Sequence, residues 1–230
     1  MAVLYRSSSG WGKGVAALAA LASIALLIFV QQNPARAGLV VPEGWNELFY
    51  FEDSVQTIAV IESQEREGYK KLLIDGVSIG ESGGGVDEKQ QMLAHLPAML
   101  TKKAEPLRVY TIGLGTGILA SELAEQDAVE SVVAIELSKG VVRSVDFFAD
   151  DNHTLSANPK VQIINDDGIR FLRQSDQEFD AIVSDGKSRP GATSNVSFFS
   201  REYYLLCERK LSGDGLFVQW VSIKLSLIHI

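Results

Sequence analysis

A strand-like run, Tyr110-Thr111-Ile112, leads into Gly113-Leu114-Gly115-Thr116-Gly117 and then into residues with helical spacing. The chemistry of such a junction is ligand binding by backbone. Glycines let the chain turn tightly and approach a ligand with no side chain in the way, while the amides opening the next helix face it. The spacing is G-x-G-x-G, with Ile118 where a dinucleotide fingerprint wants a third Gly or Ala, which points away from a nicotinamide cofactor and toward an adenosyl-amino-acid ligand. Glu136 ends the next apolar strand, where a carboxylate can accept from both ribose hydroxyls. Asp166-Asp167-Gly168 follows the third strand, where an acid can accept from an adenine amino group. Asp185 closes the fourth, where a carboxylate reaches the reacting end of the ligand and can hold or deprotonate an amine. Singly, each of these also reads as a cap, a turn or a solvated strand end. In register at the carboxyl ends of successive strands, they lie where an open α/β sheet places its ligand.

The elements that must position them follow from the hydrophobic rhythm. From Leu107 the pattern predicts strands at 108–112, 131–135, 161–164, 181–184 and 215–220, with helices at 118–125, 139–149, 169–174 and 201–210 between them. Continuous apolar strands alternating with helices predict a doubly wound, mostly parallel Rossmann-like sheet of the class I methyltransferase-like kind, α/β in class. Ahead of it, runs at 47–51, 55–62 and 69–74, the last closing at Asp75-Gly76, predict a small β-hairpin subdomain over 45–80. The glycines from Gly80 to Gly85 break that sheet, and 86–100 has helical spacing interrupted by Pro97. The nucleoside-binding domain then covers 81–230. Its tail, Val221–Ile230, is apolar and lacks a turn signal where such sheets add further strands, so a C-terminus incomplete for this fold is expected.

Residues 1–37 stand apart. Arg6 and Lys13 precede an uncharged apolar run from Val15 to Val30, and Ala35-Arg36-Ala37 then resembles a signal peptidase site. The run is slightly short of the ~20 residues that span a bilayer. The segment predicts a signal peptide or transmembrane anchor, hence an exported or membrane-anchored protein, with the side of the membrane left open. Net charge is −8, which excludes the basic face a nucleic-acid binder needs and suits cationic substrates. Cys207, the one cysteine, reads as a packing residue. His95, His153 and His229 form no zinc-ligand cluster, so no metal is expected.

The segment from Val55 to about Val221 resembles the spermidine synthases, especially the divergent ones attached to membrane domains. The resemblance is carried by Gln56 in Ser-x-Gln-x-Ile, Leu73-Ile-Asp-Gly76, Ala94-His-Leu-Pro97, the glycine loop, Ile135-Glu136, Asp166-Asp-Gly168, Phe179-Asp180-Ala-Ile-Val-Ser-Asp185 and Phe199-Ser-Arg-Glu-Tyr-Tyr204. It implies aminopropyl transfer in polyamine biosynthesis, with decarboxylated S-adenosylmethionine as co-substrate and no tightly bound cofactor. Gln56, Gly113, Gly115, Gly117, Glu136, Asp166 and Asp167 would bind the donor, and Asp185 would act as base or orienting carboxylate. The partners implied are a small-molecule amine, a membrane through the N-terminal segment and a second copy of the chain. Family members carry Asp-x-x-Asp-Pro after the fourth strand, whereas this chain has Asp185-Gly-Lys187-Ser188-Arg189 and so lacks the second carboxylate. The usual Glu four residues before the Ala-His-Leu-Pro histidine is Gln91, and Asp87-Glu88 lies eight residues before His95 rather than ten. Two other readings share the nucleoside site: an S-adenosylmethionine-dependent methyltransferase and a non-catalytic nucleoside-binding domain of a membrane protein.

Overall fold

A computed structural model of the chain describes residues 20–24, 41–54, 56–82, 88–103, 106–185 and 197–221. Met1–Gly38 form one unit and Leu39–Ile230 another. Of the first unit only residues 20–24 are described, and they are helical. The rest of the apolar run, the site at Ala35–Ala37 and the tail beyond Val221 lie outside the described residues. No helix among the described residues is long and apolar enough to cross a membrane.

The second unit opens with a four-stranded antiparallel sheet in chain order, β1 (Trp45–Glu52), β2 (Thr57–Ser63), β3 (Lys70–Ile74) and β4 (Val77–Glu81). Three of these strands match the sequence expectation, and β4 is an addition to it. Asp75 (φ 49°) and Gly76 (φ 76°) form a two-residue turn with both residues in the left-handed region, whose twist sends the chain straight back along β3. The short, half-polar run Val-Ser-Ile-Gly-Glu carries too little pattern to announce that strand by itself. Central strand β2 is buried on both faces, with Ile58 and Val60 in the main core and Ala59 and Ile61 in a smaller cluster beneath Trp45 and Tyr50.

The chain continues through α1 (Glu88–Leu100), β5 (Leu107–Ile112), α2 (Ile118–Ala124), β6 (Val129–Glu136), α3 (Lys139–Ser144), β7 (Val161–Asn165), α4 (Gly168–Gln174), β8 (Phe179–Ser184), α5 (Arg201–Lys210) and β9 (Leu211–Gln219). The five strands pair in parallel in the order β7-β6-β5-β8-β9, as the sequence predicts for a doubly wound sheet. Alternate residues of the central strands bury opposite faces. Val109, Val132, Ala134, Ala181 and Val183 pack with α1 and α2, while Tyr110, Ile112, Val133, Ile135 and Ile182 pack with Leu172 of α4 and Tyr203, Leu206 and Cys207 of α5. Cys207 is buried as expected, and burial pushes its thiol up to about 11.

Two helices depart from expectation. The α1 helix runs through Pro97, which is buried, instead of breaking there. The predicted helix at 139–149 is α-helical only to Ser144 and then tightens into a 3₁₀ turn, Val145–Phe148, where Asn152 Nδ2 donates to the Val145 carbonyl at 2.9 Å.

At the amino end of the parallel sheet, Asp180 is an almost fully enclosed carboxylate, its side chain 1% exposed. It accepts from Lys103 Nζ at 2.7 Å, the Arg108 amide at 2.9 Å and Ser212 Oγ at 2.7 Å, tying β8 to β5 and β9. Burial alone would raise its pKa, but these donors outweigh it and hold the carboxyl below the usual range. An unfolded chain therefore takes up this proton first, near the ordinary value of about 3.9, so the stabilisation is complete above that pH and is lost as pH falls through the folded value. Asp180→Asn should lower stability by about 2–4 kcal/mol at pH 7 and by progressively less below about pH 4. Urea unfolding across that range checks this, and the same loss at every pH would contradict it.

Candidate active site

Strand register sets the site. Ile112 of β5 pairs with Ile135 of β6 on one side and with Ser184 of β8 on the other, and Glu136 pairs with Asn165 of β7. One residue past each pairing come Gly113, Asp185 and Asp166, with Glu136 at the end of its own strand. Asp166, Glu136, Gly113 and Asp185 thus fall in a row along the carboxyl edge. With strands about 4.8 Å apart the row spans roughly 14 Å, a run on the scale of an extended adenosyl ligand. Because the chain winds outward in opposite senses from β5, this is also where the sheet's strand order reverses and a crevice opens.

Within the glycine loop the three glycines have different reasons to be glycine. Gly113 (φ 90°) and Gly115 (φ 55°) lie in the left-handed region, and a β-carbon on either would meet nothing within 4 Å, so both border open space. Gly117 (φ 86°) is hemmed in. A β-carbon there would come within 2.9 Å of Leu155 and Val145 and 3.0 Å of Asn152, and its amide already donates to the Leu114 carbonyl. The buried Asn152 fixes this end of the loop by donating to the Thr116 carbonyl at 2.9 Å. Gly117, expected from the sequence to bind ligand, is accounted for by packing.

Glu136 reaches across to the loop. Its Oε2 accepts from the Leu114 amide at 3.0 Å and its Oε1 from the Ser138 amide at 2.9 Å. Burial raises its pKa, against the pull of the Ser138, Leu114, Leu137 and Gly115 amides. The close bonds from the Leu114 and Ser138 amides take two of the roughly four acceptor positions a carboxylate offers, so acceptor capacity remains for a ligand hydroxyl. Ser138 caps α3, accepting from the Gly140 and Val141 amides while donating to Asp53 Oδ2 at 3.1 Å. Asp53 Oδ1 accepts from the Gln56 amide at 2.9 Å, which brings the turn carrying Gln56 to the Glu136 end of the row. Neither Asp53 nor the Ser138 link appears among the sequence-predicted site residues, although a serine opening a helix two residues after Glu136 was a signal for a cap.

Asp167 caps α4 through the Arg170 amide at 2.8 Å, and Asp166 is held by the Arg170 guanidinium, whose hydrogen bond keeps that carboxyl below its usual range. Both line an open cavity of about 860 Å³ together with Leu137, Ile169, Arg170 and Tyr203. Asp185, 10% exposed at its side chain, receives Lys89 Nζ of α1 on Oδ1 at 2.8 Å and on Oδ2 at 2.9 Å, with Gln90 Nε2 on Oδ2 at 3.0 Å. Lys89 and Gln90 are further residues that sequence reasoning missed, because they meet Asp185 only through the tertiary fold. Lys187 and Arg189 lie outside the described residues. Among the described residues no cluster of His, Cys, Asp and Glu is fit to hold a metal ion.

An open parallel sheet with a glycine loop after its first strand, a carboxylate on its second and acids on its neighbours defines an α/β protein of the methyltransferase-like kind. The spermine/spermidine synthase domain matches residues 87–226, and the chain belongs to that family. It is 30% identical over 164 residues to the polyamine aminopropyltransferase of Thermococcus kodakarensis, covering 69% of this chain and 56% of that one. It is 33% identical over 145 residues to the spermidine synthase of Dictyostelium discoideum, covering 63% and 49%. The chain spans about half the length of the curated relatives it matches. Its fold is that of a spermidine synthase crystallised with the transition-state analogue AdoDATO (TM-score 0.66, 24% identity, 75% of this chain and 57% of that one) and of the Thermotoga maritima spermidine synthase (TM-score 0.64, 23% identity, 75% and 56%).

Removing the Glu136 carboxylate frees the Leu114 and Ser138 amides and takes away the acceptor for a ligand hydroxyl. Glu136→Ala should therefore weaken binding of methylthioadenosine at least about tenfold, since hydrogen bonds to a charged group contribute about 1.5–3 kcal/mol. Calorimetric titration checks this, and unchanged affinity would remove Glu136 from the site.

Proposed function

We propose that this chain transfers the aminopropyl group of decarboxylated S-adenosylmethionine to an amine. The observation supporting this reading best is the row along the carboxyl edge, with an acceptor of hydroxyls at Glu136, open glycines at Gly113 and Gly115, and an enclosed carboxylate at Asp185. Membership of a family whose relatives are named polyamine aminopropyltransferases and spermidine synthases supports it as well. In this reading the adenine lies toward Asp166 and Asp167, the ribose toward Glu136 with the Gln56 turn beside it, and the sulfonium arm toward Asp185.

The chemistry is a direct displacement. The amine nitrogen attacks the methylene next to the sulfonium, a C–N bond forms, the C–S bond breaks, and methylthioadenosine leaves. An amine is protonated near neutral pH, with a lysine-like reference near 10.4, so attack requires a neighbour that holds the cation and takes its proton. Asp185 is that neighbour. The positive sulfonium is neutralised as the bond breaks, so the donor itself drives the step and no metal is called for.

Asp185→Asn keeps the shape and removes the charge. Methylthioadenosine affinity should survive, while release of methylthioadenosine from decarboxylated S-adenosylmethionine in the presence of amines should fall by about 10²–10⁴-fold. Undiminished turnover would refute the role of Asp185. Consumption of S-adenosylmethionine with formation of S-adenosylhomocysteine would instead assign the site to methyl transfer.

A further inference from the structure

The carboxylate assigned above to the amine already holds a primary ammonium, that of Lys89. Both Asp185 oxygens are engaged by its Nζ, the two side chains keep only 18% and 10% of their exposure, and the ammonium stands 5.6 Å from the centroid of the Trp220 ring. Trp220 is itself anchored to the end of β8, its amide donating to the Ser184 carbonyl at 3.0 Å. Lys89 is the second residue of α1, a place where the positive end of the helix dipole disfavours a cation. Its position there depends on Asp185, not on its own helix.

An acceptor amine would make the same contact that Lys89 makes: an ammonium on both oxygens of one enclosed carboxylate. A second ammonium on it would add a positive charge that the single carboxylate does not neutralise, at a place with little water. We propose, resting on the functional reading above, that Lys89 is a specificity-determining residue. Its ammonium occupies the acceptor's place on Asp185, so an amine binds only by displacing a tethered competitor. A tether of a few bonds gives an effective concentration of order millimolar or more, enough to raise the amine concentration needed for binding at least about tenfold. This is selection by a built-in obstacle. Acceptors with two ammonium ends are penalised most, since displacing Lys89 adds an unpaired cation to a crevice that already holds theirs.

The test is chemical rescue in the full chain. Lys89→Ala deletes a propylammonium-like arm and leaves a cavity beside Asp185. Added n-propylammonium and 1,4-diaminobutane should then bind the variant at least about tenfold more tightly than wild type and raise its melting temperature. The double variant Lys89→Ala/Asp185→Asn should show neither response. Lys89→Gln removes the charge, shortens the arm and keeps a helix-forming polar side chain, and a gain in the same direction is expected of it should the alanine variant fold poorly. Equal amine binding by wild type and both single variants, or an equal response in the double variant, would overturn the proposal. Methylthioadenosine binding by the same wild-type samples reports separately on the nucleoside site. Its loss would sink the functional reading, while the amine comparison depends on Lys89 and Asp185 alone.

Discussion

Two loops from different strand–helix units meet on one side chain, the carboxylate of Glu136. With one oxygen on the Leu114 amide and the other on the Ser138 amide, it fixes the distance between the glycine loop after β5 and the turn into α3. It acts beside two other restraints on the first loop, the Gly113 amide donating to the Ile135 carbonyl at 2.9 Å and Asn152 Nδ2 donating to the Thr116 carbonyl at 2.9 Å. Burial raises the pKa of this carboxyl, and the backbone amides oppose the rise. The amides thus hold a carboxylate at a place where burial by itself disfavours its charge.

The N-terminal sheet grips the same junction. Asp53 accepts from Ser138, Gly80 of β4 lies so close to Thr116 that a β-carbon would approach its methyl to 2.7 Å, and Gly140 of α3 leaves the same narrow clearance for Ile58 and Phe51. Lys70 of β3 adds a bond to the Phe147 carbonyl at 2.9 Å. These contacts explain why a small antiparallel sheet packs into the same core as the parallel one through Ile58, Val60 and Leu72. Through Asp53, which bonds both Ser138 and the Gln56 amide, it brings Gln56 to the Glu136 end of the row.

What the sequence made legible follows physical range. The βα rhythm from Leu107 onward was readable because central parallel strands are continuous apolar runs, and α5 was readable to its ends because Ser200 caps it and Lys210 closes it. That Gly113, Gly115, Glu136, Asp166 and Asp185 lie at or just past strand ends was readable because strand ends are local features, and the sheet aligns them. Strand β4 escaped because its pairing is imposed by the Asp75-Gly76 turn and not by its own pattern. The packing demand on Gly117 was not readable, since only the fold brings Leu155, Val145 and Asn152 against it. The Lys89–Asp185 pair joins residues 96 positions apart, and nothing in either local sequence shows that the cation of one will neutralise the other.

Each end of the carboxyl edge carries a paired carboxylate. Asp166 is held by Arg170 beside Glu136 and Asp167 at one end, and Asp185 is held by Lys89 at the other. A crystal structure of the chain with methylthioadenosine tests the order of these groups along the sheet edge. Ribose hydroxyls on Glu136, the adenine toward Asp166 and Asp167, and the thioether sulfur directed at Asp185 are expected. A nucleoside lying in the reverse sense, with its sulfur toward Asp166, or bound away from the glycine loop, would contradict it.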